Sequence, residues 1–76
     1  MKKYEIALMG KDFIKTYEYD YMYIMQNKLQ DFIGDFGNEL TRIELSIIEQ
    51  DIDGTNINSY CFCEIDMSEL RKGEEL

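Results

Sequence analysis

The sequence contains no histidine, no proline and no tryptophan, and it has only two cysteines. Histidine is the commonest general acid and base near neutral pH, so its absence argues against catalysis by proton transfer. No run of about 18 apolar residues is present, so the chain is not expected to span a membrane. The basic start, Met1 to Glu5, is not followed by the apolar segment of a secretory signal. These absences favour a non-enzymatic protein of the cytoplasm.

Positive charge is scarce as well. The chain has 8 basic and 16 acidic residues, for a formal net charge of −8. A protein with this balance is repelled by phosphate groups, so direct binding to DNA, RNA or an anionic membrane is disfavoured. The charge is also uneven, because residues 1–48 carry a net charge of −2 and residues 49–76 carry −6.

A length of 76 residues allows one domain. We assign it to residues 1–72 and expect residues 73–76 to form a frayed acidic tail. A domain of this size buries only a small core, and association with another copy is a common source of further burial. A homodimer is therefore one of the states that the length leaves open.

Four segments have the period-two alternation and the β-branched or aromatic content of strands. Turn-forming residues follow the first and the third of them, at Gly10–Asp12 and at Asp51–Asn56. The predicted strands are Tyr4–Met9, Phe13–Tyr19, Leu40–Glu49 and Ile57–Asp66.

Between the second and third strands the apolar residues change to the spacing of a helix. They fall within a stripe of about 100°, which predicts a helix from Tyr21 to Phe36 with Asp20 as its N-cap and Gly37 at its C-terminal end. A second capping pattern begins at Asp66, before a short helical turn at 70–72. The residues of the stripe are Met22, Met25, Leu29, Phe32, Ile33 and Phe36.

The element order is therefore β-β-α-β-β. The simplest such fold is an α+β domain, a four-stranded antiparallel sheet with one amphipathic helix packed on one face. The opposite face of the sheet is predicted to be polar, with several tyrosines among its charged residues, and to be either solvated or an interface. Its predicted members on the first three strands are Glu5, Lys15, Arg42, Glu44 and Ser46.

The two cysteines, Cys61 and Cys63, lie two positions apart in the fourth predicted strand. Side chains at this spacing share a face and lie about 6.6 Å apart, at the limit of disulfide reach. We expect reduced, largely buried thiols and a cytoplasmic setting. A structural zinc site needs four ligands, which only a dimer would supply here, so packing is favoured and no metal or cofactor is predicted.

The segment from Asp51 to Thr55 has the D-x-D-G-T pattern and in these five residues resembles the haloacid-dehalogenase-type phosphatases. That resemblance implies Asp51 as nucleophile, Asp53 as general acid and Mg²⁺ between them. Such an enzyme also needs a parallel sheet, a downstream lysine and a further acidic pair, for which this chain has no room. The spacing of the segment also departs from a calcium-binding EF-hand loop. A hairpin loop is the favoured interpretation.

Several acids near the end of the chain are spaced by two residues. In an extended strand such carboxylates repeat about every 6.6 Å, on the order of the separation of phosphates along a nucleic-acid strand. They could occupy a basic groove as a decoy, or they could only keep the domain soluble. Exposed tyrosines would add contact area. The predicted partner-binding residues are Glu49, Asp51, Asp53, Glu64, Asp66, Glu69, Tyr19 and Tyr23.

Two functions follow from these patterns. The first is a small inhibitor that occupies the basic surface of a nucleic-acid-acting protein, and in size and charge the chain resembles phage- and mobile-element-encoded inhibitors of host enzymes. The alternative is a self-assembling structural or regulatory module, which would pair through a strand edge or a tyrosine face while its charge only confers solubility.

Overall fold

The structure is a computed structural model and describes residues 1–69. It has the element order β-β-α-β-β, which confirms the predicted α+β fold. The strands and the helix begin and end within two residues of the predicted bounds. They are β1 (Lys2–Gly10), β2 (Ile14–Tyr19), α1 (Met22–Phe36), β3 (Leu40–Gln50) and β4 (Asn56–Asp66).

All four strands form one antiparallel sheet in the order β2-β1-β3-β4. Each pair of consecutive strands, β1–β2 and β3–β4, is a hairpin, and β1 pairs with β3 to join the two hairpins. We call the end of the sheet where β1 begins the lower end, and the end where β1 finishes the upper end. The 51–55 loop is therefore at the lower end, and the β1–β2 turn is at the upper end.

The helix packs on one face of the sheet, mainly against β1 and β2. The core lies between them and consists of apolar side chains that are at most 5% exposed. Complete burial of a side chain of this size stabilises the fold by about 1.5–3 kcal/mol. The members of the core are Ile6, Leu8, Met25, Leu40, Ile43, Leu45 and Met67.

The predicted helix stripe faces this core. Met25 is fully buried, and the others are partly buried except Phe36, which is 39% exposed. Phe36 remains in contact with Phe32, and the ring of Phe32 stacks on Tyr17 of β2 at 4.9 Å between centroids. The aromatic side chains thus extend the contact between the helix and the edge of the sheet.

The predicted N-cap of the helix is wrong. Tyr21 occupies the N-cap position and makes no side-chain capping hydrogen bond. The carboxylate of Asp20 instead accepts a hydrogen bond from the Lys3 ammonium group on the first strand. Because β1 and the start of the helix lie close together at the lower end, an ion pair with a neighbouring strand replaces the local cap.

The helix ends at Gly37, but the backbone there is right-handed, with φ of −53° and ψ of −34°. Its N–H donates to the Ile33 carbonyl oxygen at 3.0 Å. A β-carbon at this position would overlap the same oxygen. Glycine is therefore required here by close approach of the backbone rather than by a left-handed conformation.

The capping pattern at Asp66 is present in the structure. The Asp66 carboxylate accepts a hydrogen bond from the Ser68 N–H at 2.9 Å, and residues 67–69 form a helical turn. This turn directs Met67 into the core. The predicted helical turn at 70–72 and the predicted tail at 73–76 lie outside the described residues.

Candidate interaction surface

The face of the sheet opposite the helix is open and rich in carboxylates. Antiparallel register places directly paired residues on the same face, so this face contains Glu5 opposite Glu18 and Glu44 opposite Glu64. Asp66 lies opposite Arg42 one row further up. We call the surface formed by Glu5, Glu18, Glu44, Glu64 and Asp66 the acidic sheet face.

Beneath these carboxylates lie two buried apolar side chains. Ala7 is 7% exposed and Ile48 is 5% exposed, yet neither belongs to the core under the helix. Ala7 is directly paired with Thr16 and with Glu44, and Ile48 is paired with Lys3 and Ser59. The open face thus combines charged side chains with two buried apolar positions.

Glu5 and Glu18 form a directly opposed pair of like charges, and the Lys3 ammonium group, which is paired with Asp20, also attracts Glu18. Burial, and then the neighbouring Glu18 carboxylate, raises the pKa of Glu5 above its ordinary value. Like charges directly opposite each other destabilise an antiparallel pair. A cation supplied from outside the sheet would relieve this repulsion.

The second pair of glutamates is bridged by Arg42. The guanidinium lies 2.5 Å from the Glu64 carboxylate and 3.3 Å from that of Glu44. The hydrogen bond from Arg42 to Glu64 raises the pKa of the guanidinium. A shallow polar depression of about 470 Å³ lies at the upper end, and it is lined by Thr41, Arg42, Glu64, Asp66 and Ser68.

The structure separates the acids that the sequence grouped together. Glu64, Asp66 and Glu69 are at or beyond the upper end of β4, whereas Asp51 and Asp53 are in the loop at the lower end. Glu49 lies near that loop, opposite Lys2 of β1. The acids at the upper end and those at the lower end are therefore separated by the length of β4, which rises about 3.3 Å per residue.

Asp51 and Asp53 belong to a hairpin loop, as predicted. The Asp51 N–H donates to the Thr55 carbonyl oxygen at 2.8 Å, and Gly54 adopts a left-handed φ of +88°. Hydrogen bonding by Thr55, through its side chain and its backbone N–H, lowers the pKa of Asp53. Both aspartates therefore support the turn, and the antiparallel sheet is not the parallel scaffold that the phosphatase resemblance requires.

The two predicted tyrosine anchors have different environments. Tyr19 packs against the core and is only partly exposed, and burial raises the pKa of its hydroxyl group. Tyr23 is 62% exposed on the first turn of the helix and stacks on Tyr21, which is 58% exposed. The exposed aromatic pair is thus Tyr21 and Tyr23, and it lies at the lower end, away from Glu64 and Asp66.

The predicted placements of three residues, Lys15 and the two cysteines, are wrong. Lys15 is directly paired with the core residue Leu8 and therefore lies on the helix side of the sheet, not on the polar face. Cys61 is exposed and Cys63 is partly exposed, so the thiols are not largely buried. The register of β4 shifts between them, which places Cys63 opposite Leu45 and Cys61 opposite Ser46, on different faces. Both cysteines are free thiols.

An apolar groove of about 310 Å³ lies at the upper end, on the helix side. It passes between the β1–β2 turn and the end of the helix, and Lys15 and Glu39 are its charged residues. Within residues 1–69 no group of three or more Cys, Asp or Glu side chains is arranged to hold a metal ion. No helix in this range is long and apolar enough to cross a membrane.

Sequence reasoning placed Glu5 and Glu44 on the polar face and proposed Glu64 and Asp66 as contacts, but it missed Glu18 and did not join these residues into one surface. Alternation had assigned Glu5 and Glu44 to the polar face, but only the register brings Glu18 and Glu64 beside them. Compared with known proteins, the chain matches no family model, no curated protein and no solved structure.

Proposed function

We propose that this protein is a non-enzymatic binding module that inhibits a nucleic-acid-acting protein by occupying its basic surface. The observation that carries the proposal is the acidic sheet face, with five carboxylates on four adjacent strands. Arg42 and Lys3 lie on the same face, and both are already engaged in ion pairs. Adjacent strands lie about 4.8 Å apart, so the carboxylates form a two-dimensional array about 15 Å wide.

An array of this kind suits a partner that normally binds phosphates. Strand pairing fixes the backbone that carries the carboxylates, so little backbone freedom is lost when the partner binds. The repulsion between Glu5 and Glu18 is relieved further when a lysine or arginine of the partner approaches, and this gain is made only in the complex. Electrostatic attraction between the surfaces also accelerates association and makes it sensitive to salt.

The distribution of the acids refines the earlier prediction. Glu64 and Asp66 remain in the proposed interface, whereas Glu49, Asp51 and Asp53 would form a separate contact at the lower end. Tyr23 would accompany the lower contact, together with Tyr21. The acidic sheet face is the primary contact because its carboxylates are more numerous and belong to one rigid surface.

The test is capture of partners from the native host's lysate by the immobilised protein. We expect a basic nucleic-acid-acting protein to bind at about 50 mM NaCl, to elute near 300 mM, and to be displaced by duplex DNA, because screening weakens charge contacts. The variant Glu5→Gln/Glu18→Gln/Glu64→Gln should lose most of this capture.

A matched control removes three negative charges elsewhere, with Asp31→Asn/Asp35→Asn/Glu39→Gln, all exposed and away from the open face. This control should retain capture. A second variant, Asp51→Asn/Asp53→Asn, tests the contact at the loop and should reduce capture less than the sheet-face variant does. Equal loss in the sheet-face variant and its control, or a captured protein that DNA does not displace, would refute the proposed function.

A further inference from the structure

The outer edge of β4 is unpaired within residues 1–69, because β4 is the last strand of the sheet. Its 11 residues make it unusually long for an edge strand. Natural edges are usually protected by charged side chains, proline or short length, since exposed N–H and C=O groups accept another strand. From Asn56 to Cys63 β4 contains no charged residue and no proline.

The side chains of β4 from Asn56 to Phe62 are exposed as well. Ile57 is 67% exposed, and Tyr60 and Phe62 are each 43% exposed. The helix packs mainly over β1 and β2, toward the other edge of the sheet, so it leaves these residues of β4 exposed. Three large apolar side chains therefore accompany a backbone edge that has no partner strand, where the Ser59 N–H donates to the Oδ1 of its neighbour Asn58 at 2.9 Å.

The other edge of the sheet has charged residues along its length, which β4 lacks between Asn56 and Cys63. β2 has 6 residues, and two of them, Lys15 and Glu18, are charged. Charged residues on a short strand oppose pairing with another chain. The contrast between the two edges indicates that β4, rather than β2, is the edge suited to association.

We propose that β4 pairs in antiparallel orientation with β4 of a second copy of this chain, around a two-fold axis near Ser59–Cys61. This arrangement joins two four-stranded sheets into one continuous sheet. The same arrangement places the uncharged Asn56–Cys63 segments of the two copies side by side. Glu64 and Asp66 of each copy then lie beside the neutral Asn56 end of the other copy, where they do not repel one another.

The two register shifts in β4 limit the extent of pairing. They lie between Cys61 and Cys63 and between Asn56 and Asn58, and the segment Asn58–Cys61 between them is regular. Four regular residues per strand give a short interface, so the dimer forms and dissociates with concentration. Because the axis is perpendicular to the sheet, the two acidic sheet faces lie on the same side of the dimer.

The experiment compares Ser59→Lys with Thr16→Lys by light scattering and native mass spectrometry over a range of concentrations. Both positions are exposed hydroxyl residues on edge strands, Ser59 on β4 and Thr16 on β2, and both substitutions add one positive charge. We expect the wild type and Thr16→Lys to dimerise with the same dissociation constant. Ser59→Lys should raise that constant by at least about tenfold, since the two lysines oppose each other near the axis.

Amide hydrogen exchange supplies a second measurement that does not depend on any variant. Protection of the amides in 58–61 should increase as the wild-type protein is concentrated. A protein that remains monomeric near 0.5 mM, about the range of weak self-association, overturns the proposal. Equal weakening by both substitutions, or a dimer that leaves the 58–61 amides unprotected, also overturns it. These outcomes are independent of the capture experiment, which requires no second copy.

Discussion

The electrostatic environment of individual acidic residues in this protein depends on the partners that the fold brings close to them. Glu5 is adjacent in sequence to Tyr4 and Ile6, but its electrostatic environment comes from burial on the sheet and from Glu18, 13 positions away. Asp20 is the residue that sequence rules assign to the helix N-cap, and it binds Lys3 of the first strand instead. The sequence shows that these residues are charged, and the fold determines which residues they contact.

The raised pKa of Glu5 predicts how stability depends on pH. The favourable contribution of protonated Glu5 is complete below its ordinary pKa of 4.5 and is lost as pH rises through the higher value in the folded protein. At about pH 7, Glu5→Gln should therefore increase the free energy of unfolding, by about 0.5 kcal/mol for one pair of like charges. Urea denaturation should show this gain shrinking as pH falls through the raised pKa of Glu5, and no gain should remain below about 4.5.

Glu44→Gln provides the comparison for this measurement. Glu44 also lies opposite a glutamate, Glu64, but the guanidinium of Arg42 lies 3.3 Å from its carboxylate. Removing Glu44 removes an attraction together with a repulsion, so no gain in stability is expected. A gain of equal size in both variants would show that the Glu5–Glu18 repulsion is not its cause.

At the scale of the elements, the helix and the strands follow from periodicity. The apolar stripe predicted the buried face of the helix, and the strand bounds lie within two residues of those observed. The register shifts of β4 were not predicted, because a bulge is selected by the pairing of two strands and leaves no signal in the spacing of one. For that reason Cys61 and Cys63 were placed on one face when they lie on two.

Alanine substitution at two glycines near the end of the helix should have opposite effects on stability. Gly34 is exposed, and a β-carbon there would meet nothing within 4 Å, whereas at Gly37 it would overlap the Ile33 carbonyl oxygen. Gly34→Ala should stabilise the protein by about 1 kcal/mol, from the higher helix propensity of alanine. Gly37→Ala should destabilise it by about 1–3 kcal/mol, as overpacking does.

Urea denaturation of the two glycine variants measures both effects in the same background. Far-UV circular dichroism establishes that each variant retains its helix and sheet before the stabilities are compared. A shift of the same sign in both variants would contradict the assignment of Gly37 to a position of close backbone approach.

At the scale of the whole molecule, the net charge of −8 acts on a small body of 48 × 24 × 18 Å. At about 10 mM ionic strength the screening length is about 30 Å, longer than the two shorter dimensions, and at about 0.1 M it is about 10 Å. Mutual repulsion of the acids therefore extends across the molecule at low salt and becomes local at moderate salt.

Sodium chloride is accordingly expected to stabilise the protein. Between about 10 mM and about 0.1 M, a gain of about 1 kcal/mol would raise the melting temperature by about 4–8 °C in a domain of this size. The variant Asp31→Asn/Asp35→Asn/Glu39→Gln has less repulsion and should show a smaller salt dependence. A melting temperature that stays constant or falls with salt would mean that the ion pairs of Lys3 and Arg42 outweigh the net repulsion.

The order of the elements, the faces of the helix and the position of the hairpin loop at Asp51–Thr55 could all be obtained from the amino-acid pattern, because each depends on residues close together along the chain. The acidic sheet face and the free edge of β4 could not. They arise from the pairing of β1 with β3 and from the register of each ladder, which bring together residues as distant as Glu18 and Glu64. Contacts between residues so far apart along the chain depend on which strands pair and in which register. The residue pattern of one segment does not determine them.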